Sequence, residues 1–199
     1  MGSNNKNISD REDVYRKLFG DMQHVWHETK PGVPHIDIYC FKKGHAGRDF
    51  FTLVTGGMSD VEIDIPDSLP PELQRRRVEL VFYCDLPETK YAELLQSLAH
   101  YPFKNRTWFG PGHTMETDDV ALLEDQDVNA LLFLPTPVIP DDSLPIRLQF
   151  EDEPVTLLWV VPITTEECAL ARTEGYLETA MMAFEKNGRP YVYSPGRSA

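Results

Sequence analysis

Histidine and carboxylate side chains that could exchange protons or bind a metal occur at three places in the chain. His35 and Asp37 stand two residues apart, Asp60 follows a pair of glycines, and His113 lies in a loop rich in aromatic residues. Brought together by strand and loop ends, these four would form an acid/base or metal cluster. Two residues apart on one strand face, however, a histidine and a carboxylate can bond for purely structural reasons. A small-molecule- or metal-dependent enzyme using His35, Asp37 and His113 is therefore the alternative hypothesis.

Motifs that would define a catalytic or cofactor site are absent from the sequence. It contains no nucleophile elbow, phosphate-binding loop, dinucleotide-binding fingerprint or zinc-protease motif. The three cysteines, Cys40, Cys84 and Cys168, are widely spaced within apolar segments, which favours reduced core thiols over a disulfide framework or a zinc site. We therefore predict no catalytic residue, no metal and no cofactor.

A stretch between Tyr101 and His113 has the composition of a recognition loop. It contains four aromatic residues, two prolines and two glycines, which suit a rigid loop with aromatic anchors. Single residues such as Phe103 and Phe109 can equally be core plugs under such a loop. For the stretch as a whole we predict surface recognition, on a rim that binds a partner through Asp60, Tyr101, Trp108 and His113.

The element around which the fold is predicted is a hairpin between His35 and Asp60. Residues 36–41 alternate apolar and polar side chains, and residues 50–55 are rich in β-branched and aromatic ones, so both predict strands. The charged segment 42–48 predicts a long solvated loop between them. Gly56 and Gly57 then supply the backbone freedom for a sharp bend.

The N-terminal region is predicted to form a helix that packs on the sheet. Residues 9–12 have the spacing of a capping box, and apolar residues at i, i+4, i+8 and i+11 from Val14 continue to Val25. His24 and His27 would then lie on this helix, as a solvated pair near its end. Proline and glycine at 31–34 are predicted to end the helix.

Periodicity predicts the remaining elements and the class of the fold. Strands are expected at 61–65, 78–82, 128–134, 146–150 and 155–163, and helices at 88–100 and from a capping box at 164–167 to Gly188, with a kink or break at Gly175. Together they predict an α+β fold, a mixed, hairpin-rich β-sheet flanked by helices. We expect a polar tail at 1–9, a single domain at 10–190 and a C-terminal tail at 191–199.

Charge and hydropathy limit the class of partner. The 199-residue chain carries 19 basic and 32 acidic side chains, a formal charge of −13. This balance disfavours nucleic acid and anionic membranes and favours a basic protein surface. The sequence contains neither a run of about 20 apolar residues nor a signal peptide, so we expect a cytoplasmic protein.

Five blocks, in order, carry a resemblance to a known family. His35–Tyr39 followed by a strand and LVTGGMSD resembles the signature of the Suppressor of fused domain. The similarity continues to about Phe184 and includes the R-x-E-L strand at 77–82 and the segments 94–103, 110–114 and 158–167. The resemblance implies the fold of that family's N-terminal lobe.

The resemblance also implies a function as a protein-binding module. The animal member binds and represses zinc-finger transcription factors, with two lobes that close on an extended peptide, and this chain resembles only the first lobe. Tyr101 and His113 match the animal protein, whereas Gly112 replaces an acidic residue, which puts the animal peptide specificity in doubt. Single-lobe bacterial members include proposed immunity proteins. We therefore expect a non-enzymatic, immunity-type or regulatory protein that sequesters a basic partner, such as a toxin.

Overall fold

The computed structural model describes residues 2–29, 32–70, 74–125, 128–136, 147–150, 153–176 and 192–194. These described residues form three α-helices and eight strands: α1 (Gly2–Phe19), β1 (Met22–Trp26), β2 (Asp37–Phe41), β3 (Phe51–Gly56), β4 (Val78–Cys84), α2 (Thr89–Asn105), β5 (Thr114–Glu116), β6 (Ala130–Pro135), β7 (Arg147–Phe150), β8 (Glu153–Ile163) and α3 (Thr165–Thr173). No helix in the described ranges is both long and apolar enough to cross a membrane.

The strands form one mixed sheet, which confirms the predicted α+β class. Their order is β1-β2-β3-β4-β8-β6-β5, and β7 pairs with β8 outside this path. All pairs are antiparallel except β4 with β8. Helix α2 packs on one face of the sheet, and α1 and α3 pack on the other. Each face therefore has its own apolar core.

The predicted hairpin is present, but its loop is not solvated throughout. Strands β2 and β3 pair from Asp37 with Gly56 to Phe41 with Thr52. The loop between them folds against the C-terminal end of α1, where the His45 ring bonds the Lys17 carbonyl and Arg48 donates to the Leu18 carbonyl. These bonds satisfy carbonyl groups that a helix end leaves without intrahelical partners.

The prediction of the N-terminal helix was wrong at both ends. Helix α1 begins at Gly2 and ends at Phe19, and Gly20 follows with a φ of 90°. His24 lies on β1, which pairs antiparallel with β2, and His27 immediately follows that strand. The apolar stripe that we extended to Val25 therefore crosses from a helix to an edge strand.

Two further predictions need correction. Residues 61–65 do not form a strand, although Ile63 and Ile65 are buried as the alternation predicted. Helix α2 extends past His100 to Asn105, so the first part of the expected recognition loop is helical. Strand β5 was not predicted at all.

The other elements agree with their predictions. The buried strand β4 lies at the centre of the sheet, and β7 and β8 form the second hairpin. Thr164 and Glu167 form the predicted capping box of α3. That helix ends at Thr173, and Gly175 has a φ of 104°, in agreement with a break there. The rest of the predicted helix, residues 177–188, lies outside the described residues.

Candidate functional site

The loop before β5 is held in place at both of its ends. At Arg106, φ is 50°, and the Thr107 N–H donates to the Pro102 carbonyl, which closes the last turn of α2. At the other end, the Gly112 N–H donates to the Phe133 carbonyl over 2.7 Å, and the Phe133 N–H donates to the His113 carbonyl over 2.9 Å. The loop is therefore anchored to α2 and to β6.

The rings of this segment form three contacts. Phe109 is buried and stacks on Phe133 with ring centroids 4.3 Å apart, and Tyr101 stacks on Phe109 with centroids 6.1 Å apart. The rings of Trp108 and His113 meet edge to face, 5.4 Å apart, and both are only half-buried. Phe109 is thus the core plug, while Trp108 and His113 remain available at the surface.

Burial sets the protonation state of His113. Desolvation lowers the pKa of this imidazole, and a backbone hydrogen bond at Trp108 partly opposes the shift. The ring is therefore neutral at pH 7. Because its N–H is used at the Trp108 backbone, the other ring nitrogen of this neutral imidazole is left as an acceptor, which suits recognition of a hydrogen-bond donor.

Strand β5 presents an edge of the described sheet. It pairs only with β6, with Thr114 opposite Leu132 and Glu116 opposite Ala130. Since the His113 carbonyl bonds β6, the alternation of an antiparallel ladder directs the backbone groups of Thr114 and Glu116 away from it. Arg172 of α3 bonds the side chains of both residues, over 3.0 and 2.8 Å, and fixes the strand from one face.

Asp60 lies far from this edge. It follows β3, and three strands separate β3 from β5. At about 4.8 Å per strand step, the two strands are roughly 19 Å apart. The Asp60 carboxylate forms an ion pair with the buried Arg11 of α1. The structure therefore brings Trp108 and His113 together and places Tyr101 nearby through Phe109, but it does not bring Asp60 to them.

The bend before Asp60 encloses a carboxylate that sequence reasoning missed. Glu79 of β4 is fully buried and accepts four hydrogen bonds, from the Thr55 hydroxyl, the Gly57 N–H, and the N–H and hydroxyl of Ser59. Burial raises its pKa, whereas Arg11 and the hydroxyl bonds oppose that rise. Because every neighbouring group donates, the bonding is that of an ionised carboxylate.

His35 and Asp37 form a second polar group, at the other end of the sheet order. The His35 Nε2 lies 3.3 Å from an Asp37 oxygen. His27, Glu28 and His100 complete this group, which we name the histidine clasp. Four strands separate β2 from β5, so His113 does not join it. The described residues contain no set of three such side chains that could hold a metal ion.

The three members of the clasp that the sequence analysis left out had weak sequence signals. His27 was placed on a helix, Glu28 had no motif around it, and His100 lay in segment 94–103, which the resemblance covered without giving this residue a role. Arg172, which fixes β5, was also missed, because its partners Thr114 and Glu116 lie in a strand that was not predicted. Glu79 gave the clearest signal, since a glutamate stands alone in the strand VELVFYC.

The fold is that of an α+β domain whose described sheet ends at β5. The family model described as "Suppressor of fused protein (SUFU)" matches residues 32–198, and the chain belongs to this family of protein-binding domains. A comparison with curated proteins gave no match. The predicted resemblance is therefore confirmed by the family model.

Solved structures share the fold at low sequence identity. A SUFU homologue from Neisseria gonorrhoeae FA 1090 is 16% identical, with a TM-score of 0.65, over 96% of this chain and 94% of that one. A chain of the Sufu-Fu complex is 16% identical, with a TM-score of 0.67, over 98% and 90%. Drosophila Suppressor of Fused is 18% identical, with a TM-score of 0.66, and this chain spans 49% of it.

Proposed function

We propose that the protein binds an extended segment of a protein partner along β5. The observation that carries this proposal is the outward direction of the Thr114 and Glu116 backbone groups beside the half-buried rings of Trp108 and His113. An added strand gains affinity from main-chain hydrogen bonds and specificity from side-chain contacts at alternate positions. Trp108 and His113 supply such contacts next to the first residue of β5.

The charge around β5 supports a basic partner. Glu116 and Asp118 are exposed at the end of β5 and just after it, Glu166 is exposed on α3 and Glu174 just after that helix, and Arg172 of α3 is a basic residue paired with Glu116. A net charge of −13 adds a long-range attraction for cations, which speeds capture of a basic protein by about 10- to 1000-fold at low salt. An immunity-type or regulatory protein that sequesters a basic partner would use this electrostatic attraction.

The Sufu-Fu complex among the similar structures is consistent with a role in protein binding. Its identity of 16% carries the fold alone, so we assign the partner by chemistry: an extended, basic segment. Asp60 remains a predicted contact, but its distance from β5 requires a second contact region on the same partner. Binding to the β5 edge can therefore be tested separately from binding at Asp60.

The test is selection of binders from a displayed library of random ten-residue peptides, followed by mapping on the ¹⁵N-labelled protein. We expect the selected peptides to be basic and to shift the amide signals of residues 113–116. Trp108→Ala should weaken their affinity by about 5- to 30-fold, as truncation of an interface anchor does. Glu116→Pro should also weaken it, because it removes an outward N–H, whereas Glu116→Gln keeps that donor.

Glu93→Lys is the matched charge control, because Glu93 is an exposed glutamate on α2. The test substitution is Glu116→Lys on β5. Glu93→Lys and Glu116→Lys each change the net charge by two units, but Glu93 lies on α2. If both substitutions weakened binding equally, the attraction would be unspecific and the edge site would be refuted. Peptide-induced shifts confined to residues outside 108–116 would refute it as well.

A further inference from the structure

Residues 192–194 lie as an added strand beside the C-terminal end of β4. The Tyr193 N–H donates to the Tyr83 carbonyl over 2.8 Å, and the Asp85 N–H donates to the Tyr193 carbonyl over 3.3 Å. Val192 enters the apolar core on one face of the sheet, and Tyr193 enters the core on the other face. Alternate side chains thus point to opposite faces, as they do in a strand of the sheet.

This segment occupies a gap that the neighbouring strand β8 leaves beside β4. The described pairing of β4 with β8 ends at Val81 with Trp159, and residues 160–163 of β8 pair with β6. Cys84, three residues further along β4, has β3 on one side and Tyr193, in parallel pairing, on the other. The segment therefore supplies the main-chain neighbour that β8 does not provide at this end of β4.

The side chain of Tyr193 fills a pocket whose groups match a tyrosine. Its ring packs against the rings of Phe82 and Tyr91, and both pairs of ring centroids are 5.7 Å apart. Its hydroxyl donates to the Leu123 carbonyl over 3.4 Å and lies 3.3 Å from an oxygen of Asp125. Only 3% of the residue is exposed. We name the pocket formed by Phe82, Tyr91, Leu123 and Asp125 the tyrosine slot.

The walls of the tyrosine slot are also held by contacts that do not involve the segment. Phe82 of β4 and Tyr91 of α2 contact each other, with ring centroids 5.4 Å apart. The Tyr91 hydroxyl donates to Glu88 over 2.9 Å. Lys90 donates to Glu124 over 2.8 Å and so ties α2 to the turn that supplies the polar end of the slot. The slot is therefore largely pre-formed, as ligand sites usually are.

The main-chain pairing of the segment is short. In the described part of the chain, one bridge joins it to β4, whereas β3 and β8 each pair with β4 over four residues. Ser194 adds a side-chain hydrogen bond to Asp85. Because the pairing is short, we expect release of residues 192–194 to cost less free energy than unfolding of the sheet.

We propose that the tyrosine slot and the adjoining end of β4 form a peptide-binding site for an extended segment of the pattern aliphatic–tyrosine–serine. Val192–Ser194 is the ligand that occupies this site within the chain. A partner segment of the same pattern exchanges with it when the chain's own segment leaves by local opening. The site is separate from the β5 edge, since β8 and β6 lie between β4 and β5 in the sheet.

The test measures binding of a fluorescein-labelled peptide with the sequence RPYVYSPG, which is residues 189–196 of the chain. The protein is the full-length Tyr193→Ala variant, in which the chain's own segment no longer fills the slot. Fluorescence anisotropy should show binding at least about tenfold tighter than to the wild type, where a tethered segment competes at a high effective concentration. The ¹⁵N-labelled variant should show peptide-induced shifts at the Asp85 amide.

Two controls separate the slot from general attraction of a basic peptide to an acidic protein. The peptide that carries Tyr193→Ala has the same charge and should not bind, because it lacks the ring. The protein variant Tyr176→Ala loses a half-buried tyrosine elsewhere and should bind the peptide no more tightly than the wild type. Equal affinity of the peptide for Tyr193→Ala and for the wild type would refute the proposal, and so would no binding to a folded Tyr193→Ala variant.

Hydrogen exchange in the wild type decides the question if Tyr193→Ala does not fold. The Asp85 amide donates to the Tyr193 carbonyl, whereas the Leu80 amide donates to the buried Thr55 hydroxyl. After correction for intrinsic rates, Asp85 and Tyr193 should exchange at least about tenfold faster than Leu80 and depend less on urea, because local opening exposes little surface. Equal protection and equal urea dependence would mean that the segment leaves only on global unfolding, and the proposal would fail.

Discussion

Replacement of Glu79 by glutamine should destabilise the protein although it changes neither the size nor the shape of the side chain. The carboxylate accepts four hydrogen bonds in a fully buried position, and three of them reach one oxygen atom. A glutamine keeps that oxygen but loses the charge that strengthens each bond. Hydrogen bonds to charged groups contribute about 1.5–3 kcal/mol, so we expect a loss of about that size.

Replacement of Glu79 by alanine should cost more, about 3–5 kcal/mol, because it removes a buried charge from its partners. The N–H groups of Gly57 and Ser59 would then lose their acceptor inside the protein. Arg11 would lose the favourable charge of Glu79 but keep its ion pair with Asp60. The order of stability should therefore be wild type, then Glu79→Gln, then Glu79→Ala.

The assay is equilibrium unfolding in urea, followed by tryptophan fluorescence and circular dichroism. Equal slopes against urea concentration would show that the native and denatured states have not changed in compactness. Glu93→Gln on the exposed face of α2 is the control and should stay within about 0.5 kcal/mol of the wild type. If Glu79→Gln were as stable as this control, the inference that an ionised Glu79 carboxylate stabilises the bend would be refuted.

Three smaller predictions concern a glycine, a histidine and a cysteine. Gly57→Ala should be less stable than Gly44→Ala by at least about 1 kcal/mol in urea unfolding. Both glycines have a positive φ, but only a Cβ at position 57 would collide with the His35 carbonyl. Equal losses of stability in the two variants would contradict this prediction. Since the lowered pKa of His113 favours its neutral form, the stability it contributes is present above about pH 6.5 and is lost as the pH falls through the folded-state pKa. His113→Gln should therefore lose less free energy of unfolding than the wild type between pH 7 and pH 5. Burial raises the pKa of Cys40 to about 11, so iodoacetamide should label this thiol at pH 8 only as fast as the protein opens. If the folded protein were labelled as fast as the protein unfolded in urea, this prediction would be wrong.

The elements that the sequence predicted well are those whose hydrophobic period stays constant along their length. Alternate residues of β2, β3 and β4 enter the two cores, and helix α2 packs against one core only, so their periods of two and of three to four residues are clear. The α1 stripe failed because Val14 and Leu18 lie on a helix and Met22 on a strand, yet all three pack against the same core. Gly20, with a φ of 90°, marks the boundary and was not used.

The prediction of a strand at residues 61–65 failed for a different reason. Alternation gave the correct buried side chains, Ile63 and Ile65, but a strand also needs a neighbouring ladder. The Ile63 N–H reaches only the Arg76 carbonyl, outside any named strand. Strand β5 could not be predicted from its three residues, because a short edge strand is defined by its pairing with β6 and not by its own pattern.

The sequence predicted only part of the grouping of residues at the candidate site. Aromatic composition located Trp108 and His113, which do meet, because both belong to one short segment. Asp60 was added from another segment, and sequence alone does not give the distance between two loops. The three strands between β3 and β5 separate it from the aromatic pair. The roles of Trp108, His113 and Asp60 in partner binding remain predictions.

Two of the blocks that carry the family resemblance have a structural role in this fold. The run LVTGGMSD and strand β4, which follows Arg77, meet around the buried carboxylate of Glu79, which no partner can contact. Their match is therefore informative about the fold and uninformative about the ligand. At the proposed β5 site, selectivity would come from side chains near the edge, and there Gly112 has a φ of 83°, with the Tyr176 ring where a side chain would lie. A larger residue at 112 would have to displace that ring, so this chain presents a different surface beside His113 from a relative with a side chain at that position.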